Sequence, residues 1–404
     1  MSKTIYKCKY KITPHDDPDV LITDDNTYDI QDELELLMTP ISFKRTISWE
    51  ETKFNKLYSK YAKILENVPT FSDNKKIINT KLYKIVLDFL QKNKIDKILL
   101  SLSGGVDSMV LLEIIDYINN TSTHNILIYC CHINYNNREE TNIERDFLRD
   151  YCETKDIYFE CLDIKFKRDD TKRAVYENKT REIRYNYYMS LCDLFGCSGV
   201  LLGHHKDDIC ENIFNNIMKG SHDISDLKVI KEVNNIMGVT VYRPMLSVYK
   251  DEIYNIAYNY NIPFFLDTTP DWCCRGKMRT RIFPQCEDCY GNDYKENLIK
   301  VASDSEKLGN LVNDYIINDI FKLVIYDKNS FTIPFNKVLK EIFVLKVILK
   351  QICYKLNVNI MKEKNITTLC KLIDNNYTGR VKMSLFHTYD IVILSDTINF
   401  NCTK

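Results

Sequence analysis

From Ile95 onward the chain alternates short apolar runs with amphipathic stretches. The runs at 98–102, 126–131, 157–162 and 200–203 have the length and the Ile, Leu, Val and Cys content of buried strands, and the stretch 109–118 is the first of the helices between them. Repeated βα units imply an α/β fold, a mostly parallel sheet with helices on both faces, whose ligands bind beyond the carboxyl ends of the strands. Ahead of this region, Ser48 and Glu51 form a capping-box pair, and Phe54, Leu57, Tyr58, Tyr61, Ile64 and Leu65 follow at helical spacing. A second apolar stripe, Ile78, Leu82, Ile85, Val86 and Phe89, predicts another helix. Beyond Cys289 the pattern is largely helical, at 298–321 and 338–356, and it closes with a hairpin-like run at 381–394. We therefore expect an N-terminal extension over 1–75, an α/β domain over 76–290 and a smaller, mainly helical domain over 291–404.

Composition sharpens this division. Glycine is scarce, 11 in 404 residues, and none precedes Gly104. None of the 9 prolines falls between Pro69 and Pro244, which suits uninterrupted strands and helices there. Residues 16–35 carry nine acidic side chains and no basic one, the pattern of a solvated segment. Lys and Arg number 55 against 56 Asp and Glu, a net charge of −1, so no whole-molecule field draws a polyanion and a nucleic-acid partner must use a local patch. The 15 cysteines are spread through strand-like and helix-like runs, and no cleavable leader or membrane-length apolar run is evident. These features lead us to expect a reducing, cytoplasmic setting and no membrane partner.

The chemistry begins where the strand ending at Leu102 runs into Ser103-Gly104-Gly105-Val106-Asp107-Ser108 and a helix starts at once. Adjacent glycines let the backbone approach a phosphate, the helix start supplies N–H donors and positive potential, and the two serines add hydroxyls. Neither a Walker string nor a G-x-G-x-x-G fingerprint is present. Asp107 would repel a phosphate unless a cation such as Mg²⁺ lies between them. A tight turn capped by Ser103 or Asp107 is the plainer reading of the same residues. The hexapeptide resembles the loop of the PP-loop ATP pyrophosphatase superfamily, S-G-G-x-D-S, which grips the pyrophosphate of ATP. That resemblance implies adenylation of a carbonyl or carboxyl oxygen with release of pyrophosphate.

Further motifs fall at later strand ends. His132 and Arg138 follow the second strand, and Gly203-His204-His205-Lys206-Asp207-Asp208 with Glu211 follows the fourth. Capping explains acids in the first turn of a helix but not the paired histidines, which we read as ligand-facing. Arg184-Tyr185, Arg243-Pro244-Met245-Leu246, and Arg275 with Arg279 and Pro284 complete the series. This order of motifs resembles the tRNA(Ile)-lysidine synthetase family over about 95–284, with H-x-x-H-x-x-R after the loop, then H-H-x-D-D-x-x-E-T, R-P-L-L and R-N-x-I-R-x-x-x-x-P. The chain departs from the pattern at Tyr135 for the second His, at Asn136 for the Gly of H-G-L-R, at Asn212 for Thr, at Lys219 for Arg and at Gly276 for Asn.

By this resemblance, ATP adenylates the carbonyl of a wobble cytidine in tRNA, and lysine displaces AMP. The expected nucleotide contacts are Ser103, Gly104, Gly105, Val106, Asp107, Ser108 and His132, with Mg²⁺ on Asp107. The expected catalytic groups are Asp107, His132, Arg138, His205, Asp207 and Asp208. Arg184, His204, Glu211, Arg243, Arg275 and Arg279 are the expected substrate contacts. Residues 165–184, with eight basic and four acidic side chains, and 275–281, with four basic and none acidic, are the local basic stretches. Tyr176, Tyr185, Tyr187 and Tyr188 suit either base stacking or the core side of a helix, and the core reading is preferred. Cys273, Cys274, Cys286 and Cys289 match zinc in number, but adjacent cysteines are awkward ligands and scattered thiols are the expectation. A PP-loop tRNA thiolase, a catalytically reduced RNA-binding homologue and a ligase for a small carboxylate are the alternatives.

Overall fold

A computed structural model describes residues 51–69, 77–121, 126–136, 140–165, 173–219, 227, 229–266, 274–327, 330–334, 341–356, 363–384 and 388–403. Arg138, Ser48, Cys273 and the acidic segment lie outside these residues. The chain divides into two compact units, one formed mainly by Leu21–Asn215 and Val229–Ile299, the other mainly by Lys300–Lys404.

The larger unit is built on a six-stranded sheet. Its strands are β2 (Lys97–Ser101), β3 (Leu127–Asn134), β4 (Tyr158–Asp163), β5 (Val200–Leu201), β6 (Val233–Ile236) and β7 (Val239–Tyr242). The order is β4-β3-β2-β5-β7-β6, parallel throughout except for the terminal β6–β7 hairpin. Alternation along β2 assigns the faces. Ile98 and Leu100 join one core with the helices α2 (Lys81–Lys92), α3 (Val106–Thr121) and α4 (Thr141–Glu153), whereas Leu99 enters a second core against α5 (Arg173–Phe195). Tyr185, Tyr187 and Tyr188 of α5 are buried in that second core, so these three rings stand on the core side of the helix.

Two N-terminal boundaries differ from the periodicity. The helix α1 (Glu51–Tyr61) stops before Ile64, and Leu65 instead begins the short strand β1 (Leu65–Asn67), which pairs antiparallel with β8 (Phe264–Phe265). Ile78 lies in a 3-10 turn, because Thr80 caps α2 by accepting the Tyr83 N–H at 3.1 Å. Leu65 and Ile78 fit the helical spacing, but pairing in one case and capping in the other override it.

The smaller unit has helices α8 (Ile342–Leu356) and α9 (Glu363–Asp374) and a five-stranded antiparallel sheet. That sheet comprises β9 (Ile325–Asp327), β10 (Ser330–Pro334), β11 (Gly379–Ser384), β12 (Thr388–Ile393) and β13 (Thr397–Thr403), in the order β11-β12-β13-β10-β9. The expected hairpin is β11–β12, and it is one side of this larger sheet. Phe331 and Phe400 stack at 4.5 Å, and Ile333, Ile391 and Ile398 close the core with Leu345, Ile348 and Leu369 of the helices. No described helix is long and apolar enough to cross a membrane.

Candidate active site

The loop after β2 is closed by its own serines. Ser108 Oγ accepts from the backbone N–H of Ser103 and of Gly104, both at 3.2 Å, lies 3.0 Å from Ser103 Oγ and donates to Gly105 O at 3.0 Å. The two glycines serve different purposes. Gly104 has φ +80°, and a Cβ there would stand 1.9 Å from the buried ring of Phe265, whose N–H bonds to Gly104 O at 2.9 Å. Protein packing alone therefore explains Gly104. At Gly105 a Cβ would meet only Ser103 Oγ, at 3.5 Å, so the space over this residue is open and within reach of a ligand. A third glycine, Gly203, lets β5 lie against the start of α3, with Asp107 and Ser108 backbone atoms 3.1 Å from where its Cβ would be.

Three strand ends and two helix starts surround this loop. His132, at the end of β3, is buried and its Nδ1 lies 2.8 Å from Leu102 O. A carbonyl only accepts, so Nδ1 carries the proton and Nε2 is the acceptor of the neutral ring. Burial lowers the His132 pKa. His204 accepts from Arg243 Nε at Nδ1, 2.9 Å away, which leaves its proton on Nε2. Burial, against Asp208 but aided by Arg243, pushes the His204 pKa down to about 4. His205 behaves oppositely: burial disfavours its charge, but Asp207, Asp208 and Asp107 outweigh that and raise its pKa. Its ring nitrogens lie 3.4 Å from Asp207 Oδ2, 3.5 Å from Asp208 Oδ2 and 3.7 Å from Asp107 Oδ1.

The helix α6 (Lys206–Met218) carries the acids expected in its first turn, and each has a defined partner. Asp207 accepts from Lys295 Nζ at 2.6 Å and from the backbone N–H of Lys250, which opens α7 (Lys250–Asn259), at 2.9 Å. Burial alone would raise its pKa, but His205, Lys295 and that N–H bring it well below the carboxylate range. Asp208 receives the His205 N–H at 3.0 Å, and Arg279 grips Glu211 with two nitrogens at 2.5 and 3.2 Å while reaching Asp208 at 3.4 Å. Arg279, expected on RNA or phosphate, thus has its guanidinium on two carboxylates. Arg275 is mostly exposed, with Nε 3.8 Å from Glu211.

Asp107 shares His205 with Asp207 and Asp208. Its Oδ1 is buried and accepts no hydrogen bond among the described residues, and its Oδ2 lies 3.5 Å from Lys250 Nζ. Next to the loop, Ser101, Ser103, His132, Tyr135, Glu144 and Arg184 contribute to the lining of a cavity of about 250 Å³.

A family model described as a PP-loop domain matches residues 75–286. The chain belongs to the PP-loop domain family. It is 28% identical over 279 residues, 69% of this chain and 84% of the other, to the tRNA(Ile)-lysidine synthase of Chlamydia muridarum. The match to the enzyme of that name from Chlamydia trachomatis serovar D is 28% over 72% of this chain and 88% of the other; for Enterococcus faecalis it is 23% over 69% and 60%. Among solved structures, the U34-tRNA thiolase NcsA of Methanococcus maripaludis has a TM-score of 0.46 at 16% identity, over 56% of this chain and 78% of that one.

Membership of the PP-loop family implies ATP use, and the six-residue loop is the part of the site the chain keeps intact. One departure from the lysidine pattern has a direct physical account. Asn136, at the position of the Gly in H-G-L-R, has φ +48°, a left-handed conformation that Asn tolerates better than most side chains. Sequence reading missed three residues of this PP-loop site: Phe265, Lys295 and Lys250. The last left a signal, since a lysine at the first position of a helix opposes the helix dipole.

Proposed function

We propose that the protein is a tRNA-modifying ligase of the lysidine type: ATP adenylates the carbonyl oxygen of a wobble cytidine, pyrophosphate leaves, and lysine displaces AMP to form a carbon–nitrogen bond. The observation that carries this reading is the open hollow over Gly105, set between the start of α3 and the polar strand ends bearing His132, His204 and His205. Kinship with the lysidine synthases supports the choice of substrate.

The site residues would divide the work by charge. The N–H groups at the α3 start, with the hydroxyls of Ser103 and Ser108, would hold the pyrophosphate portion, and the adjoining cavity with Ser101, His132 and Arg184 would take the nucleoside. Asp107 Oδ1, which accepts no hydrogen bond among the described residues, fits Mg²⁺, which usually takes one or two carboxylates and completes its shell with phosphates and water. Bound there, the ion would offset phosphate charge. Neutral His204 would offer its Nε2 proton as a donor. Asp208 and Glu211, acceptors held in place by Arg279, would orient the lysine ammonium. Asp207 is bound by Lys295 and the α7 start and would position His205. Arg243 would act through His204, while Arg275 would face tRNA.

Incubation with total tRNA, ATP and labelled lysine, followed by nucleoside mass spectrometry, tests the reading. Lysine attached to cytidine with equal release of AMP and pyrophosphate is the expected result. ATP turnover with unlabelled tRNA, or with sulfur incorporated instead, would overturn it.

A further inference from the structure

The Walker loop G-x-x-x-x-G-K-S/T sets a lysine on its phosphates, and the loop over 103–108 has none. The fold brings one to it from elsewhere. Lys250 Nζ lies 3.5 Å from Asp107 Oδ2, across a sequence separation of 143 residues, and the side chain is 21% exposed. Three features of this lysine suit a phosphate-binding role. Its contact with Asp107 is at the long limit of a hydrogen bond and its ammonium lies 5.6 Å from the centre of the Tyr254 ring, two weak contacts that it can leave for a phosphate. Its placement at the first residue of α7 sets an ammonium against the positive end of that helix, an arrangement that adds nothing to stability. Its backbone is nevertheless fixed, by the N–H bond to Asp207 at 2.9 Å, so the side chain starts from a defined point beside the loop.

We infer that Lys250 is a phosphate-binding residue of this site, the counterpart of a loop lysine supplied from the first residue of α7. The inference rests on the ATP-dependent reading above. When a triphosphate occupies the hollow over Gly105, the ammonium leaves Asp107 for oxygens of the terminal phosphates. In the adenylation step the cytidine carbonyl oxygen forms a bond to the α-phosphorus as the bond from that phosphorus to the bridging oxygen breaks. The electron pair departs on pyrophosphate, and Lys250 sits where that charge collects.

The experiment measures binding of inorganic pyrophosphate, a nonhydrolysable ATP analogue and adenosine to the full chain by calorimetry. The variants are K250A, K250Q, D107N and D107N/K250Q. Because the Asp207 contact uses the backbone N–H, the substitutions keep it, and thermal melts identify folded samples. K250Q should weaken pyrophosphate and the analogue about tenfold or more, as expected for a lost charged hydrogen bond, and leave adenosine unchanged. The double variant separates direct contact from simple neutralisation of Asp107. If Lys250 touches phosphate, K250Q still weakens pyrophosphate in the D107N background; if the loss vanishes there, or if pyrophosphate affinity never changes, the inference falls. Wild-type protein that binds neither probe would instead refute the ATP reading itself.

Discussion

Gly104 and Gly105 are neighbours with different physical demands. At Gly104 any side chain meets positive φ and the Phe265 ring together, so Gly104→Ala should unfold the larger unit or lower its melting temperature sharply. At Gly105 a methyl group finds open space, so Gly105→Ala should melt near the wild type yet lose most of its affinity for an ATP analogue. Equal melting of the two variants, or full nucleotide binding by Gly105→Ala, would contradict this assignment. The histidines add a pH dependence whose sign follows from burial. His204 is neutral in the fold with a pKa of about 4, below the usual histidine value near 6.5, so unfolding takes up protons between these values. Its contribution to stability is complete above about pH 6.5 and is lost as pH falls toward 4. Urea midpoints should decline over that window, and His204→Asn should flatten the decline.

Elements far apart in sequence hold the loop in place. The segment from α1 to β1 touches three others. Tyr61 OH donates to Asp150 of α4 at 2.5 Å, Asn67 Nδ2 donates to Ile262 O beyond α7 at 2.8 Å, and Leu65 pairs with Phe265 of β8. Phe147 of α4 packs on Tyr58, Tyr61 and Phe265, so an aromatic run leads from α1 to the ring that fits Gly104. This part of the chain precedes the family match, yet it buttresses the loop. Tyr61→Phe and Asn67→Ala should each cost about 1 kcal/mol and speed amide exchange at 103–108, measured by hydrogen–deuterium exchange. Unchanged exchange there would mean that α1 and β1 stabilise only themselves. The 274–282 segment is tied to α6 by a partly buried ion pair, so Arg279→Ala, which strands buried Glu211, should cost roughly 3 kcal/mol in urea unfolding.

For the whole molecule, a net charge of −1 restricts how RNA is met. Arg275, Lys277 and Arg281 are exposed on one short stretch, while Arg279 between them is turned to Glu211. Lys277→Glu with Arg281→Glu should therefore weaken tRNA binding and reduce its salt dependence, with ATP-analogue affinity preserved. Filter-binding curves at several salt concentrations would show this, and an unchanged slope would place the RNA elsewhere.

The sequence by itself determined what is local. An S-G-G-V-D-S string between an apolar strand and a helix start fixes a tight loop closed by its own serines, because neighbouring residues and helix geometry suffice to build it. Strand alternation likewise fixed the parallel sheet and the edge at which the motifs gather. Only the tertiary structure decided which charges meet. Leu65 left the helical pattern for a strand because Phe265 offered a partner, and Arg279 turned from solvent to Glu211 because a buried carboxylate needs a cation. Lys250 reached Asp107 through a turn that no periodicity foretells. Such pairings depend on distances between elements, and a linear pattern of polar and apolar positions carries no information about those distances.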